Sequence, residues 1–334
     1  MPHFAKLAVG TALLVGTAPA LAQNTPAEVP PVIDVHFHAL LESPPGMPPA
    51  CPNQSQFLAS DWIDGPEGSN GWSTEDCTPK LYPSKPGEYV KDITDEMKRL
   101  NVTAVVFGDA ASVARYEELA PGRVIPGTGF AAGPNTPPQA EQLRMLEVAF
   151  TEGGFKVMGE IGLQYQGISP SDMSVDAYFA LAERLDIPVA IHMGSGGSGR
   201  ANVTMPNFRA SMGDPFLLEE MLARHPRLRV QVMHGGYPLI DNMLALLQAN
   251  SHIYVDMAGV IWSYPIYEVN RYIERLVKAG FGDRLMFGTD QLLWPGLMAY
   301  SIGLIQNADY LTGEQKRDIL YNNAARFLRL DREK

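Results

Sequence analysis

The stretch VIDVHFH, residues 32–38, closes a short apolar run with His36 and His38, two of only seven histidines in 334 residues. Successive side chains of a strand alternate between its faces, so residues i and i+2 share a side. Read as a strand, the stretch points both imidazoles the same way at its C-terminal end. What they face depends on how the rest of the chain is arranged.

VIDVHFH is the first of a series of similar runs. VTAVVFGD (102–109), VIPGTGF (124–130), FKVMGEIG (155–162) and PVAIHMG (188–194) follow, then RVQVMHGG (229–236), IYVDMAG (253–259) and RLMFGTD (284–290). Between them lie stretches with helical apolar spacing, among them EYVKDITDEMKRL (88–100), PQAEQLRMLEVAFTEG (138–153) and SVDAYFALAERLD (174–186). DPFLLEEMLARH (214–225), PLIDNMLALLQAN (238–250) and YEVNRYIERLVKAG (267–280) continue the pattern, and two further helical stretches follow the eighth run. Short β-branched runs alternating with amphipathic helices signal βαβ units and a parallel sheet. Eight such units predict a (β/α)8 TIM barrel of the α/β class, typically about 250 residues plus insertions. An open doubly wound sheet would announce itself with a GxGxxG turn after the first strand, and none is present. No sequence repeat of solenoid type is visible, so the periodicity is architectural. Residues 40–83, rich in Pro, Gly, Ser and Asn, read as one long loop insertion after strand one, and loops of that length inside a domain are usually functional.

The N-terminus stands apart from this pattern. A weakly basic start, MPHFAK, precedes the apolar run LAVGTALLVGTA (7–18), and the small residues Ala20 and Ala22 precede Gln23. That order is the layout of a secretory signal, and the run is too short to span a bilayer. The expectation is a signal peptide over residues 1–22 and one barrel domain over 23–334. The mature protein would be exported, periplasmic in a Gram-negative source or else secreted. No later run is apolar for the length a membrane span needs.

A net charge of −11 argues against nucleic-acid or anionic-membrane partners, and a 46% apolar composition excludes a disordered chain. A small-molecule substrate remains as partner, and assembly into a homo-oligomer stays open. Cys51 and Cys77 both fall in the insertion; in an oxidising compartment they predict a disulfide, with two separate thiols as the alternative. No CxxC spacing supports zinc binding by the pair.

Buried strand ends should be apolar, yet five of the eight runs end in a metal-ligating side chain. These are His36 and His38 in the first, Glu160 in the fourth, His192 in the fifth, His234 in the sixth and Asp290 in the eighth. A (β/α)8 barrel opens all such positions onto one mouth, where barrel enzymes keep their sites. Four imidazoles and two carboxylates suit a borderline divalent cation: zinc first, with manganese, iron or nickel as alternatives. Taken singly, each residue has an ordinary structural reading, Asp290 as a helix cap for example. Taken together, those readings require six coincidences at one end of one barrel. His225 and His252 fall at a helix end and a strand start, away from the mouth, and read as structural.

These residues resemble the amidohydrolase superfamily of metal-dependent hydrolases. The HxH of strand one, with Glu, His, His and Asp from strands four, five, six and eight, carries the likeness. FGTD and the closing YNNAARFLRL are similar to the amidohydrolase-related (amidohydrolase 2) branch, and GEIGL is similar to the TatD-like branch. The resemblance implies His36, His38 and Asp290 on one metal, with His192 and His234 on a second or beside the first. Glu160 would take the place of a bridging carboxylate. In the decarboxylase-like branch a single metal is typical, and the sixth-strand His acts in catalysis without ligating.

The function expected is hydrolysis of an ester, lactone or amide bond by a metal-activated water, with Asp290 moving the proton and His234, when not ligating, supporting the developing oxyanion. Two alternatives remain open: a metal-dependent non-oxidative decarboxylase and a non-enzymatic metal-binding protein. After strand five, Ser195, Ser198 and Arg200 could meet an anionic substrate group, and Trp62, Trp72 and Trp262 could line a pocket.

Overall fold

Strands buried on both faces read as near-continuous apolar runs, as parallel strands covered by helices do. They are β1 (Val32–His38), β2 (Val102–Phe107), β3 (Val124–Thr128), β4 (Val157–Ile161), β5 (Val189–His192), β6 (Val230–Met233), β7 (Ile253–Asp256) and β8 (Leu285–Met286). The computed structural model describes residues 29–43, 47–53, 77–194, 196, 199–203, 205–291 and 293–330. Everything below concerns the unit Pro31–Lys334; the expected signal peptide lies outside the described residues. The eight strands follow one another in sequence order, each parallel to the next. Irregular bonds bring the last back to the first. Val35 N–H donates to the Phe287 carbonyl at 3.0 Å, Asp290 N–H to that of His36 at 2.9 Å, and His38 N–H to that of Gln291 at 3.4 Å. The result is the (β/α)8 barrel that the alternating pattern predicts.

Helices Tyr89–Arg99, Gln139–Thr151, Asp176–Leu185, Glu219–Arg224, Ile240–Ala249, Ile266–Leu276 and Gly296–Gln306 occupy the expected stretches. One more, Ala110–Leu119, was not expected as a separate element. Asp109, read as the end of strand two, instead caps this helix by accepting the Ser112 N–H at 2.9 Å. Most strands are shorter than the apolar runs suggest, because their last residues turn away from the ladder toward the barrel mouth.

Two apolar layers sort the strand residues. An inner cluster holds Ile33, Val35, Val105, Phe107, Ile125, Val157, Ala190, Met233 and Met286. An outer one holds Val32, Phe37, Val106, Met158, Ile161 and Val232 together with the helices. Ala324, Ala325 and Phe327 join the inner cluster beside the strand starts, where Arg229 donates to the Phe327 carbonyl.

These layers show how polar residues come to face inward. Strict alternation from Ile33 and Val35 would put Phe37 inside and His36 and His38 outside. The β1–β2 register shifts between Asp34 and Phe37, and Phe37 packs outward. The β4–β5 register likewise shifts between Met158 and Ile161, where alternation from Val157 would have turned Glu160 away from the interior. Ladder irregularities of this kind re-aim side chains next to functional sites.

The described ends of the insertion are pinned together. Ala50 and Leu81 exchange backbone bonds of 2.8 and 2.9 Å, and a disulfide joins Cys51 to Cys77, whose Cα atoms are 5.8 Å apart. The Asn53 side chain donates to the carbonyls of Ile261 and Tyr264 at 3.0 and 2.6 Å, tying the insertion to the segment after β7. Among the described residues no helix is long and apolar enough to cross a membrane.

Candidate metal centre

Six side chains from β1, β4 and β5 and from the segments that follow β6 and β8 meet at the mouth. Glu160 stands in the middle. Its Oε2 lies 3.2 Å from His38 Nε2 and 3.6 Å from His36 Nε2. Its Oε1 lies 2.7 Å from His192 Nδ1 and 3.5 Å from His234 Nε2. Asp290 Oδ1 completes the first group, 3.0 Å from His38 Nε2 and 3.6 Å from His36 Nε2. In the second group His234 Nε2 and His192 Nδ1 are 2.9 Å apart. One carboxylate therefore gives an oxygen to each of two ligand-type groups.

Two of the six owe their aim to uncommon backbone. His234 and Asp290 both have φ of 56°, in the left-handed region that non-glycine residues seldom occupy. Such conformations persist where surrounding bonds over-determine them, and they cluster at functional sites. The His234 N–H donates to Asp256 Oδ1 at 3.1 Å, and the Asp290 N–H to the His36 carbonyl. Gly259, φ +71°, fits beneath both; a Cβ there would lie 2.9 Å from Asp290 Oδ2 and 3.1 Å from His234 Nδ1.

Burial opposes every charge in the cluster, and mutual attraction decides the outcome. Burial raises the Glu160 carboxyl, but contacts from His192, His234, His36 and His38 hold it well below the usual range. Asp290 is likewise held at about 2, burial being outweighed by the His36 charge and the His38 contact. Against burial, Asp290 and Glu160 push His38 up to about 9, and Asp290 and Asp256 push His36 well up. His192 moves the other way, lowered by burial and by the neighbouring His234 charge. The cluster calls for positive charge at its centre.

The donor set fits divalent cations. Buried ring nitrogens normally find partners, yet among the described residues His36 Nε2, which faces the two carboxylates, has no hydrogen-bond partner. Ligands about 2.1 Å from a tetrahedral zinc sit about 3.4 Å from one another, which matches the spacing between His36 Nε2 and its two carboxylate neighbours. His234 Nδ1 lies 2.7 Å from the Ala258 carbonyl. A carbonyl only accepts, so Nδ1 carries a proton, and in the neutral ring Nε2 keeps its lone pair for the centre.

Other sequence expectations meet different fates. Ser195, Ser198, Trp62, Trp72 and the Arg200 side chain lie outside the described residues. Trp262 is buried; its indole N–H donates to the Thr289 carbonyl at 2.7 Å and its ring packs edge-on to Trp294. It packs within the core. His225 sits at the end of helix Glu219–Arg224 with Nε2 2.9 Å from Asp176, and the His252 carbonyl accepts the Val230 N–H. The Tyr165 hydroxyl comes within 3.4 Å of His192 Nδ1, a neighbour not anticipated from sequence. Asp34 and Asp256, fully buried beneath the cluster, were not singled out as functional either. Their signal is a carboxylate inside an apolar strand, which is costly unless partnered.

Comparison with known proteins adds a family-level match: residues 33–330 fit a family model described as amidohydrolase. No curated protein matches. Among solved structures, 4-oxalomesaconate hydratase from Rhodopseudomonas palustris is 16% identical with a TM-score of 0.54, over 90% of this chain and 97% of that one. The IDCase of Metarhizium anisopliae is 15% identical with a TM-score of 0.55, over 90% and 98%. A 5-carboxyvanillate decarboxylase from Novosphingobium aromaticivorans, complexed with manganese and 4-hydroxy-3-methoxy-5-nitrobenzoic acid, is 17% identical with a TM-score of 0.52, over 70% and 78%. Likenesses at such identities establish the fold alone.

Proposed function

Because this chain belongs to the amidohydrolase family, we propose that it is a metal-dependent hydrolase acting on an ester, lactone or amide bond of a small molecule. The observation that carries this reading is Glu160, placed with one oxygen in each of two His-rich groups. His36, His38, Asp290 and Glu160 would hold one divalent ion, and Glu160, His192 and His234 a second, zinc being the first choice for such nitrogen and carboxylate donors. When bound, such ions lower the pKa of a water toward neutrality and polarise a substrate oxygen.

The remaining work falls to the chain. Asp290, ionised at neutral pH, can accept the proton of the attacking water and return it to the leaving group. His234 is fixed by its bond to the Ala258 carbonyl, which leaves Nε2 for the second ion; in a one-ion site, where His234 would not ligate, a protonated Nε2 would instead face the developing oxyanion. Buried walls around Glu160 keep these charges in a low-dielectric setting, where their effect is larger than in water.

Metal analysis of the purified protein followed by a panel of esters, lactones and amides tests the reading. Turnover of one class, lost on chelation and restored by metal, is expected; a loaded protein inert toward all three would sink it. The second reading, decarboxylation, draws support from the decarboxylase among the fold neighbours, and carbon dioxide release from an aromatic acid would favour it. Export is part of the proposal and rests on the N-terminal sequence. An intact mass starting at Gln23 is expected, and retention of residues 1–22 would remove that part.

A further inference from the structure

We infer that Asp256, at the end of β7, is a positioning residue for both ligand groups, setting the ring of His36 and the turn that carries His234. This rests on the metal-dependent reading above.

Asp256 is fully buried, and its two oxygens have separate tasks. Oδ1 accepts the backbone N–H groups of His234 at 3.1 Å and Ala258 at 2.8 Å. The first bond holds His234 in its left-handed conformation. The second fixes Ala258, whose carbonyl takes the His234 Nδ1 proton at 2.7 Å. Oδ2 accepts Gln231 Nε2 at 2.6 Å and lies 3.6 Å from His36 Nδ1. Gln231 Nε2 also lies 3.2 Å from the Val35 carbonyl, so this side of the carboxylate is itself held in place.

At 3.6 Å the His36–Asp256 pair is an electrostatic contact and not a hydrogen bond. Its direction is what matters. A negative oxygen beside Nδ1 favours the proton there and leaves the Nε2 lone pair free to ligate. Carboxylates behind metal-bound histidines commonly set the ring this way, and losing them costs about 10–100-fold in metal affinity. Here one carboxylate serves two ligands, His36 on β1 directly and His234, just after β6, through the main chain.

Substitution by Asn separates the two tasks. In Asp256→Asn the amide oxygen can keep both backbone bonds, and Gln231 can turn its amide to accept by giving up its bond to the Val35 carbonyl. The amide NH2 would then face His36 Nδ1 and drive the proton to Nε2. Zinc titration against a chromophoric chelator should show two tight equivalents in the wild type. In Asp256→Asn one of them should weaken about 10–100-fold while the other stays; in Asp256→Ala both should weaken. Two unchanged equivalents in Asp256→Asn would overturn the inference and leave the hydrolase reading intact, whereas a wild type that takes up no zinc would remove both. Nitrogen NMR of the zinc-loaded wild type needs no variant: a proton on His36 Nδ1 is expected, and one on Nε2 overturns the inference.

Discussion

Thr289 donates its backbone N–H, at 3.0 Å, and its hydroxyl to the carboxylate of Asp34, across the seam where the segment after β8 meets β1. Asp34 also accepts the His36 N–H at 3.0 Å, so the carboxylate anchors β1 just before its ligands. Burial pushes the Asp34 carboxyl up to about 6, with the Thr289 hydroxyl pulling against it.

Removing that hydroxyl in Thr289→Val should therefore destabilise the protein by about 1.5–3 kcal/mol at pH 8, where Asp34 is ionised. A carboxyl raised above its unfolded value contributes stability below about pH 4 and loses it as pH rises through about 6. The variant's deficit should accordingly shrink at pH 5, where Asp34 is mostly protonated. Urea unfolding of chelated protein at the two pH values checks this; an equal deficit at both would show that the hydroxyl does not act on the charged form.

Gly259→Ala should damage the site more than the fold. The new methyl would meet Asp290 Oδ2 at 2.9 Å and His234 Nδ1 at 3.1 Å, on a backbone of φ +71°. With ψ at −55°, this backbone lies near the strained γ-turn region that residues with a Cβ rarely adopt, and displacement of the two side chains should lower metal content as well. Metal content and turnover both at the wild-type level would show that the cluster tolerates the intrusion.

The Cys51–Cys77 disulfide closes a segment with a sequence separation of 26 and should add about 3 kcal/mol in the chain-entropy model. Protein unfolded without reductant should show no reactive thiol, and Cys51→Ala/Cys77→Ala should unfold at lower denaturant. Two reactive thiols in the non-reduced protein would contradict the bond.

The barrel and the six converging side chains were legible because both depend on features local in sequence: apolar period, strand ends, and polar residues where apolar ones belong. Their direction was not. His36 and His38 share a side by alternation, but it is the register shift at Asp34–Phe37 that makes it the inner side. His234 and Asp290 turn inward through left-handed backbone, which His and Asp adopt more readily than most residues but which neither announces at a given position. Asp109 looked like a strand end because VTAVVFGD is apolar up to it, whereas a cap is recognised only once the next helix is known. Asp256 does not stand out in the sequence because its bonds run to the backbone of His234 and Ala258 and to Gln231, partners that the fold brings together.

Elemental analysis of purified protein, loaded with zinc and freed of loosely bound metal, puts the two-group centre to the test. Close to two zinc ions per chain are expected for the wild type and for His225→Ala, whose imidazole is engaged with Asp176 away from the mouth. His36→Ala and Asp290→Ala should each lose the ion that those residues share, and turnover with it, and combining them should cost little more, since residues serving one ion act as a unit. A wild-type protein that retains no metal, or a His36→Ala protein as fully loaded and active as the wild type, would contradict a catalytic metal centre built around Glu160.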